Sequence, residues 1–405
     1  MTQKPRSQLE FVALMAALMS IVALSLDALL PALDIIGLAV GTSNPSDYQL
    51  LITLFFLGVG TGPLIFGPIA DSIGRKPVVY MGFALFVGAS MLCVFAQSLE
   101  VMVLGRILQG ISLSAPRTMS VAMIRDVYSG DYMARIMSFV TVVFILVPII
   151  APAMGKAILD FFGWKAIFHI QVVFAILVTI WFWRRQPETL AEENKTSFRF
   201  KVFVDGYKEL LNYRQTVVFT LIWGFVTGSF LVYLSTAQQI FQEQYELKEA
   251  FPYIFAALAL TIGTSTLLNG TLVLRFGMLK LVTVSLIAYV LISLAYVLLF
   301  FQGGNPPFWV LLTFFSLQFF AVGFLFGNLR ALAMEPVGHI AGIAAAMTGC
   351  AATLMAVPIS AYIGKFVTNT VYPMFMGFLI CGLLACAILA YYYRLSKPRR
   401  KISKA

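Results

Sequence analysis

Residues 9–36 read LEFVALMAALMSIVALSLDALLPALDII, with Glu10, Asp27 and Asp34 as the only charges. A helix needs about 20 mainly apolar residues to cross the hydrocarbon of a bilayer, and this run exceeds that length. It is apolar on all sides and lacks the period-2 alternation of a membrane β-strand. Runs of the same kind recur at 48–70, 78–97, 101–127, 134–159 and 165–184, then at 216–241, 249–273, 279–301, 307–331, 339–366 and 371–394. These predict an all-α membrane protein of twelve transmembrane helices. Composition agrees: of 405 residues, 60% are hydrophobic and 11% charged, with mean hydropathy +0.90. Soluble domains carry about a quarter charged residues and must wet their surface, so a soluble fold is excluded.

The formal net charge of +10 does not indicate nucleic acid, because its distribution follows the helix map. One set of loops and ends holds Lys4, Arg6, Arg75, Lys76, Arg125, Arg135, Arg184, Arg185, Lys195, Arg199, Lys201, Lys208, Arg214, Arg275, Lys280 and Arg330, plus the tail residues Arg394, Lys397, Arg399, Arg400, Lys401 and Lys404. The other set has only Lys156, Lys165, Lys248 and Lys365. Positive charge stays on the cytoplasmic side, so both termini are expected in the cytoplasm and the basic tail against anionic lipid. The first apolar run is too long for a signal-peptide core and is read as a retained helix. Cys93, Cys350, Cys381 and Cys386 all fall inside predicted helices, as packing residues rather than a disulfide or metal framework. Neither a phosphate-binding loop nor a metal-ligand cluster nor a nucleophile–base set is present, so we expect no enzyme, no cofactor and no catalytic or metal residue.

One long polar interval, 185–213, divides the chain into a half at 1–184 and a half at 214–394, followed by a basic tail at 395–405. Within the interval an amphipathic stretch near 199–212 suits the membrane surface. The halves echo one another. Gly67-Pro-Ile-Ala-Asp71-Ser-Ile-Gly74-Arg75-Lys76 follows the second predicted helix, and Gly270-Thr-Leu-Val-Leu-Arg275-Phe-Gly277-Met-Leu-Lys280 follows the eighth, with both glycines offset by 203 residues. Two related halves around a midplane cavity describe many secondary transporters.

The 67–76 segment resembles the signature loop of the major facilitator superfamily, and Arg106-Ile-Leu-Gln109-Gly110 resembles its drug:proton antiporter motif. Asp27-Ala-Leu-Leu-Pro31, Arg125-Asp126-Val-Tyr, Phe162-Gly-Trp164-Lys-Ala-Ile-Phe168 and Ile340-Ala-Gly342-Ile-Ala-Ala are similar to the Bcr/CflA drug-resistance subfamily. The resemblance implies two pseudo-symmetric six-helix halves in a multi-pass protein of the bacterial inner membrane. It implies proton-driven export of small amphipathic molecules or drugs by alternating access, from a monomer whose partners are substrate, protons and lipid. Export of an anionic metabolite or siderophore, and proton-coupled uptake, are the alternatives within transport. A channel or a membrane enzyme lies outside it.

Asp27 is the first candidate for proton coupling, because an ionised carboxylate inside a membrane helix costs roughly 2.5–3.5 kcal/mol on insertion scales. Such a group faces a cavity, pairs with a cation, or holds a proton; a permanent structural pair is the alternative. Asp34, two helical turns on and beyond Pro31, is a possible secondary acid about 10 Å nearer the periplasm. The position one or two turns inward from Asp27, where similar exporters place a second acid, holds Met19 and Met15. Arg106 lies at a depth close to that of Asp27, either as coupling partner or as a hydrogen-bond hub, and the resemblance assigns its position to proton coupling. Arg117, three turns after Arg106, shares a stripe with Gln109, Gly110 and Leu113 and serves either an anionic substrate or a gate.

For Gly67, Asp71, Gly74, Arg75 and Lys76 the resemblance implies a cytoplasmic gate, Gly67 allowing close helix packing and Gly74 a turn. Leu274 replaces Asp71 in the echo, so the gate is expected to be asymmetric. Pro148, Pro152 and Gly155 predict a bend and a close approach in the fifth helix; Ala151 and Lys156 depart from the family's G-P-x-x-G-G. Arg330 and Glu335 are expected at a gate or interface. A mostly apolar substrate cavity is expected from Met19, Gln109, Leu113, Arg117, Tyr233, Gln238, Tyr253 and Gln318, each polar one of which can equally join helices.

Overall fold

The computed structural model describes residues 7–195 and 200–396. Lys4, Arg6, Arg199 and the tail beyond Ser396 lie outside them. The chain is helical nearly throughout. The first run forms α1 (Gln8–Asp27), a 3-10 turn (Leu30–Ala32) and α2 (Leu33–Ala39). Then follow α3 (Pro45–Ile73), α4 (Arg75–Val94), α5 (Leu99–Val127), α6 (Gly130–Phe162) and α7 (Trp164–Arg185). In the polar interval lies α8 (Phe200–Asn212), at the amphipathic stretch. The second half comprises α9 (Arg214–Gln238), α10 (Phe251–Phe276), α11 (Met278–Leu299), α12 (Phe308–Met334), α13 (Ala341–Gly364) and α14 (Tyr372–Ser396).

Among the described residues twelve helices have 20 or more residues, as predicted. Ten spans are long and apolar enough to cross a membrane, and one of these, Phe308–Gly364, is the pair α12 and α13 joined through Glu335–Ile340. The helix missing from that set is α5. Its buried Arg106, Gln109, Ser112, Ser114 and Ser120 make it the polar helix of the first half.

Local chemistry sets the ends. Ser7 and Ser98 accept hydrogen bonds from the amides of Glu10 and Val101, and Asn44 accepts one from Ser46 just ahead of Pro45. Gly74 at φ +107° and Gly277 at φ +78° make the tight joints from α3 to α4 and from α10 to α11. The sequence echo is therefore an echo of backbone conformation, since both positions take a positive φ that favours glycine.

In the first half α5 packs on α3 and α4, and α1 on α6; in the second α9 packs on α13, α14 and α12. The halves meet where α3 crosses α13 and α6 crosses α10. At mid-depth they are in close contact: a Cβ on Gly60 would lie 2.3 Å from Thr353 Oγ1. The face bearing Arg75, Arg125, Arg275 and Arg330, termed the basic face, differs from the far face. At the far face the Tyr48 hydroxyl donates to Glu243 (2.8 Å), Gln49 to Gln239 (2.7 Å), and Lys156 pairs with Glu249 (3.3 Å). Among the described residues no hydrogen bond or ion pair joins the two halves at the basic face. Among the described residues these polar ties across the seam lie at the far face.

Candidate functional site

The site begins with a broken helix. α1 stops at Asp27, and the chain resumes as helix only after the 3-10 turn. Pro31 has no N–H, so the Asp27 carbonyl loses its ladder donor, and the segment Ala28–Ala32 takes up shorter hydrogen bonds from Leu29 to Leu26 and from Ala32 to Leu29. The sequence predicts a weakened ladder here; the structure has a full interruption. Asp27 is 3% exposed, yet its carboxyl makes no hydrogen bond or ion pair among the described residues. The turn after it touches both α6 and, across the seam, α9. Tyr233 on α9 lies within electrostatic range of the carboxyl.

Gly155 on α6 allows this approach. A Cβ there would sit 2.0 Å from the Ala28 carbonyl oxygen, so even alanine cannot fit without backbone movement. The neighbouring Pro148 and Pro152 leave the carbonyls of Phe144 and Pro148 without ladder donors, while the helix continues through both.

Arg106 is wholly enclosed, at 0% exposure. Its Nε donates to the Leu51 carbonyl (3.1 Å), and its Nη1 to the Ser25 carbonyl (3.2 Å) and Gln109 Oε1 (2.7 Å). Gln109 passes the chain to Ser90 (2.7 Å), and Phe55 presents its face 4.3 Å from the guanidinium carbon. Charge-assisted bonds of this kind contribute about 1.5–3 kcal/mol each. Arg106 therefore bonds α1, α3 and α5 together and reaches the helix of Asp27 through a carbonyl two residues away, not through an ion pair. Leu113 is buried in the same core.

Asp34 lies beyond the break, in the first turn of α2. It lies near Tyr48 in the far-face tie, with Oδ1 buried and unpartnered. Met19 is partly buried and packed on the core. Tyr233 is 2% exposed, enclosed by Phe230, Phe255, Phe315 and Phe319, and its hydroxyl has no partner. Gln318 donates to Ser293 (3.0 Å) and so joins helices in the second half. Gln238 turns toward Gln242 and Glu243 at the far face. Tyr253 is 75% exposed at the outer start of α10 and does not line a cavity; residue type alone suggested it. Sequence reasoning missed the far-face tie itself, whose six-residue π-helical stretch Gln239–Gln244 carries Gln239 and Glu243.

The 67–76 loop is bonded to its own half and to the start of the polar interval. Arg75 pairs with Asp71 and with Asp126 (3.2 Å), and Asp126 also accepts from Thr189 (2.8 Å). Glu188 accepts from the amides of Arg75 (3.0 Å) and Lys76 (2.9 Å), capping α4 from 112 residues away. Lys76 adds a long contact to the Trp183 carbonyl (3.4 Å). Gly74 turns the chain as predicted. Gly67 does not mediate close packing: a Cβ there meets nothing within 4 Å, because that side of α3 faces open space.

A family model described as the Major Facilitator Superfamily matches residues 14–359. An uncharacterized MFS-type transporter of Bacillus subtilis is 28% identical over 91% of this chain and 92% of its own. A bicyclomycin resistance protein homolog of Haemophilus influenzae is 27% identical over 87% and 88%. Among solved structures, a D-xylose–proton symporter superposes with TM-score 0.76 at 15% identity, over 94% of this chain and 96% of that one, which is a likeness of fold.

Proposed function

The chain belongs to the Major Facilitator Superfamily, and from that premise we propose that it exports small amphipathic drugs from bacteria in exchange for protons. The multi-pass architecture and the bicyclomycin-resistance relative support export of a drug-like cargo. The excess of arginine and lysine on the basic face supports a cytoplasmic orientation of that face in the inner membrane. On this reading the basic face is the cytoplasmic end, and the periplasmic end is tied by Tyr48–Glu243, Gln49–Gln239 and Lys156–Glu249.

One observation carries the proton assignment: an aspartate with no partner among the described residues, almost fully enclosed, at a helix break that touches the other half. An ionised carboxylate there is costly, so a bound proton changes the energy of the enclosed state by an amount large enough to choose between shapes. Protonation from the periplasm favours enclosure of Asp27. Opening to the cytoplasm wets the seam, releases the proton and admits cargo. Arg106 holds the two helices that carry this change, and Gly155 couples α6 to the Ala28 backbone beside the acid.

The test uses purified protein in vesicles with an imposed proton gradient and bicyclomycin as probe. Asp27→Asn is expected to lower gradient-driven accumulation by about tenfold or more, while counterflow without a gradient persists. Undiminished gradient-driven transport by Asp27→Asn overturns the assignment.

A further inference from the structure

We propose that Arg117 and Arg330, one from each half, form a recognition site for an anionic group, carboxylate or phosphate, on the cargo. The proposal rests on the export reading above and specifies its substrate class.

Arg117 lies on α5 ten residues before the helix ends at Val127, about 15 Å inside the basic end. That depth is within the hydrocarbon. Three turns away on the same helix, Arg106 is bonded to three acceptors; Arg117 has no hydrogen bond or ion pair among the described residues, and neither has Arg330. Arg330 stands near the end of α12 and close enough to Arg117 for their charges to interact, with Arg125 next in range of Arg330. These are the fourth helices of their halves. The helices packed on α5 belong to the first half and those packed on α12 to the second, so the two arginines come within charge range from opposite halves.

The acids that could neutralise them are engaged elsewhere. Asp126, adjacent to Arg125, is held by Arg75 and Thr189. Glu335, at the end of α12, accepts from Gln215 (2.7 Å). Asp71 is paired with Arg75. Like charges in range of each other repel, and an anion between them removes the repulsion while accepting paired N–H bonds from each guanidinium. Such an anion also draws α5 toward α12. Recognition and closure of the basic end are then one event, since only a bound anion lets the two arginines approach.

A phosphate headgroup offers the same chemistry as an acidic cargo, so the experiment separates them. Full-length protein in phosphatidylcholine nanodiscs is titrated calorimetrically with a biphenyl carboxylate and with its neutral amide. The carboxylate is expected to bind about tenfold more tightly. That preference is expected to vanish in Arg117→Gln and in Arg330→Gln, and to return in Arg117→Lys. Equal binding of the two probes by the unaltered protein overturns the proposal, as does a preference that survives both glutamine variants. If Arg117→Gln does not fold, Arg330→Gln carries the comparison, because its side chain stands at the exposed end of α12. In nanodiscs with about one third phosphatidylglycerol, unchanged carboxylate affinity supports a cargo site; loss of that affinity overturns the cargo assignment in favour of lipid. Equilibrium binding needs no proton gradient, so failure here is distinct from failure at Asp27.

Discussion

The two halves share a plan and differ in chemistry. The first half buries Asp27 and Arg106, threads Gln109 and Ser90 onto the arginine, and ties its gate loop with Asp71, Arg75, Asp126 and Glu188. In the second half the equivalent loop has the same glycine turn, but Leu274 is 89% exposed where the first half has Asp71. Arg275 and Lys280 there stack on the Phe276 ring, each 5.3 Å from its centroid, instead of pairing with acids. The interior of the second half is aromatic: Phe230, Tyr233, Phe255, Phe315 and Phe319 form one contiguous wall. Duplicated helices therefore need not duplicate a task. Under the function proposed above, the first half carries the proton-linked groups and the second offers a polarisable aromatic surface to the cargo.

If that division is right, disturbing the Asp27 neighbourhood has larger consequences than disturbing the wall. Gly155→Ala is a severe change made by one methyl group, which meets the Ala28 carbonyl oxygen at 2.0 Å. Overpacking of this kind costs about 1–3 kcal/mol and shifts backbone, so gradient-driven transport is expected to fall about tenfold. Gly88→Ala, whose Cβ would meet nothing within 4 Å, serves as the paired control and is expected to transport normally. Equal behaviour of the two alanines breaks the link between α6 and the helix break.

A smaller effect is expected across the seam. Tyr233→Phe removes a hydroxyl that has no partner, so the fold is expected to keep its thermal stability or gain slightly. Transport is expected to slow about threefold, from loss of one hydrogen bond to cargo or to Asp27 in another state. A loss as great as that of Asp27→Asn would place proton-linked chemistry in the second half as well, and the comparison would need redrawing.

Much of this was legible in the sequence because lipid imposes simple rules. Apolar length located the helices, the basic residues sorted the loops onto two sides, and the cost of a charge in hydrocarbon singled out Asp27 and Arg106. What the sequence hid depends on contacts between distant residues. Pro31 advertised a weak ladder, but the complete break at Asp27 also depends on Gly155 bringing α6 against Ala28. The Gln49–Gln239 bond spans 190 residues and has no local signal. Tyr253 and Tyr233 are the same residue type in predicted helices, and only packing places one outside and the other within the aromatic wall.

Glu188 gives the finest probe of the asymmetry, since the second-half loop has a hydrophobic residue where the first has an acid, and its cap comes from far along the chain. Burial works to raise the Glu188 carboxyl, but the amides of Leu190, Lys76, Arg75 and Thr189 outweigh it and hold the group below the usual carboxylate range. A carboxyl lowered in the folded state stabilises the fold above its unfolded value, and that contribution is lost as pH falls through the folded value. Removing a helix cap typically costs about 1 kcal/mol. Glu188→Gln is therefore expected to lower the melting temperature by a few degrees at neutral pH, with the gap between variant and unaltered protein closing in acid. Melting curves of both proteins in the same detergent, taken from neutral pH down to about the lower end of carboxylate titration, make the check. A gap that stays constant through that window would mean that the charge on Glu188 does not hold the first-half loop, and that the two gate loops differ in sequence alone.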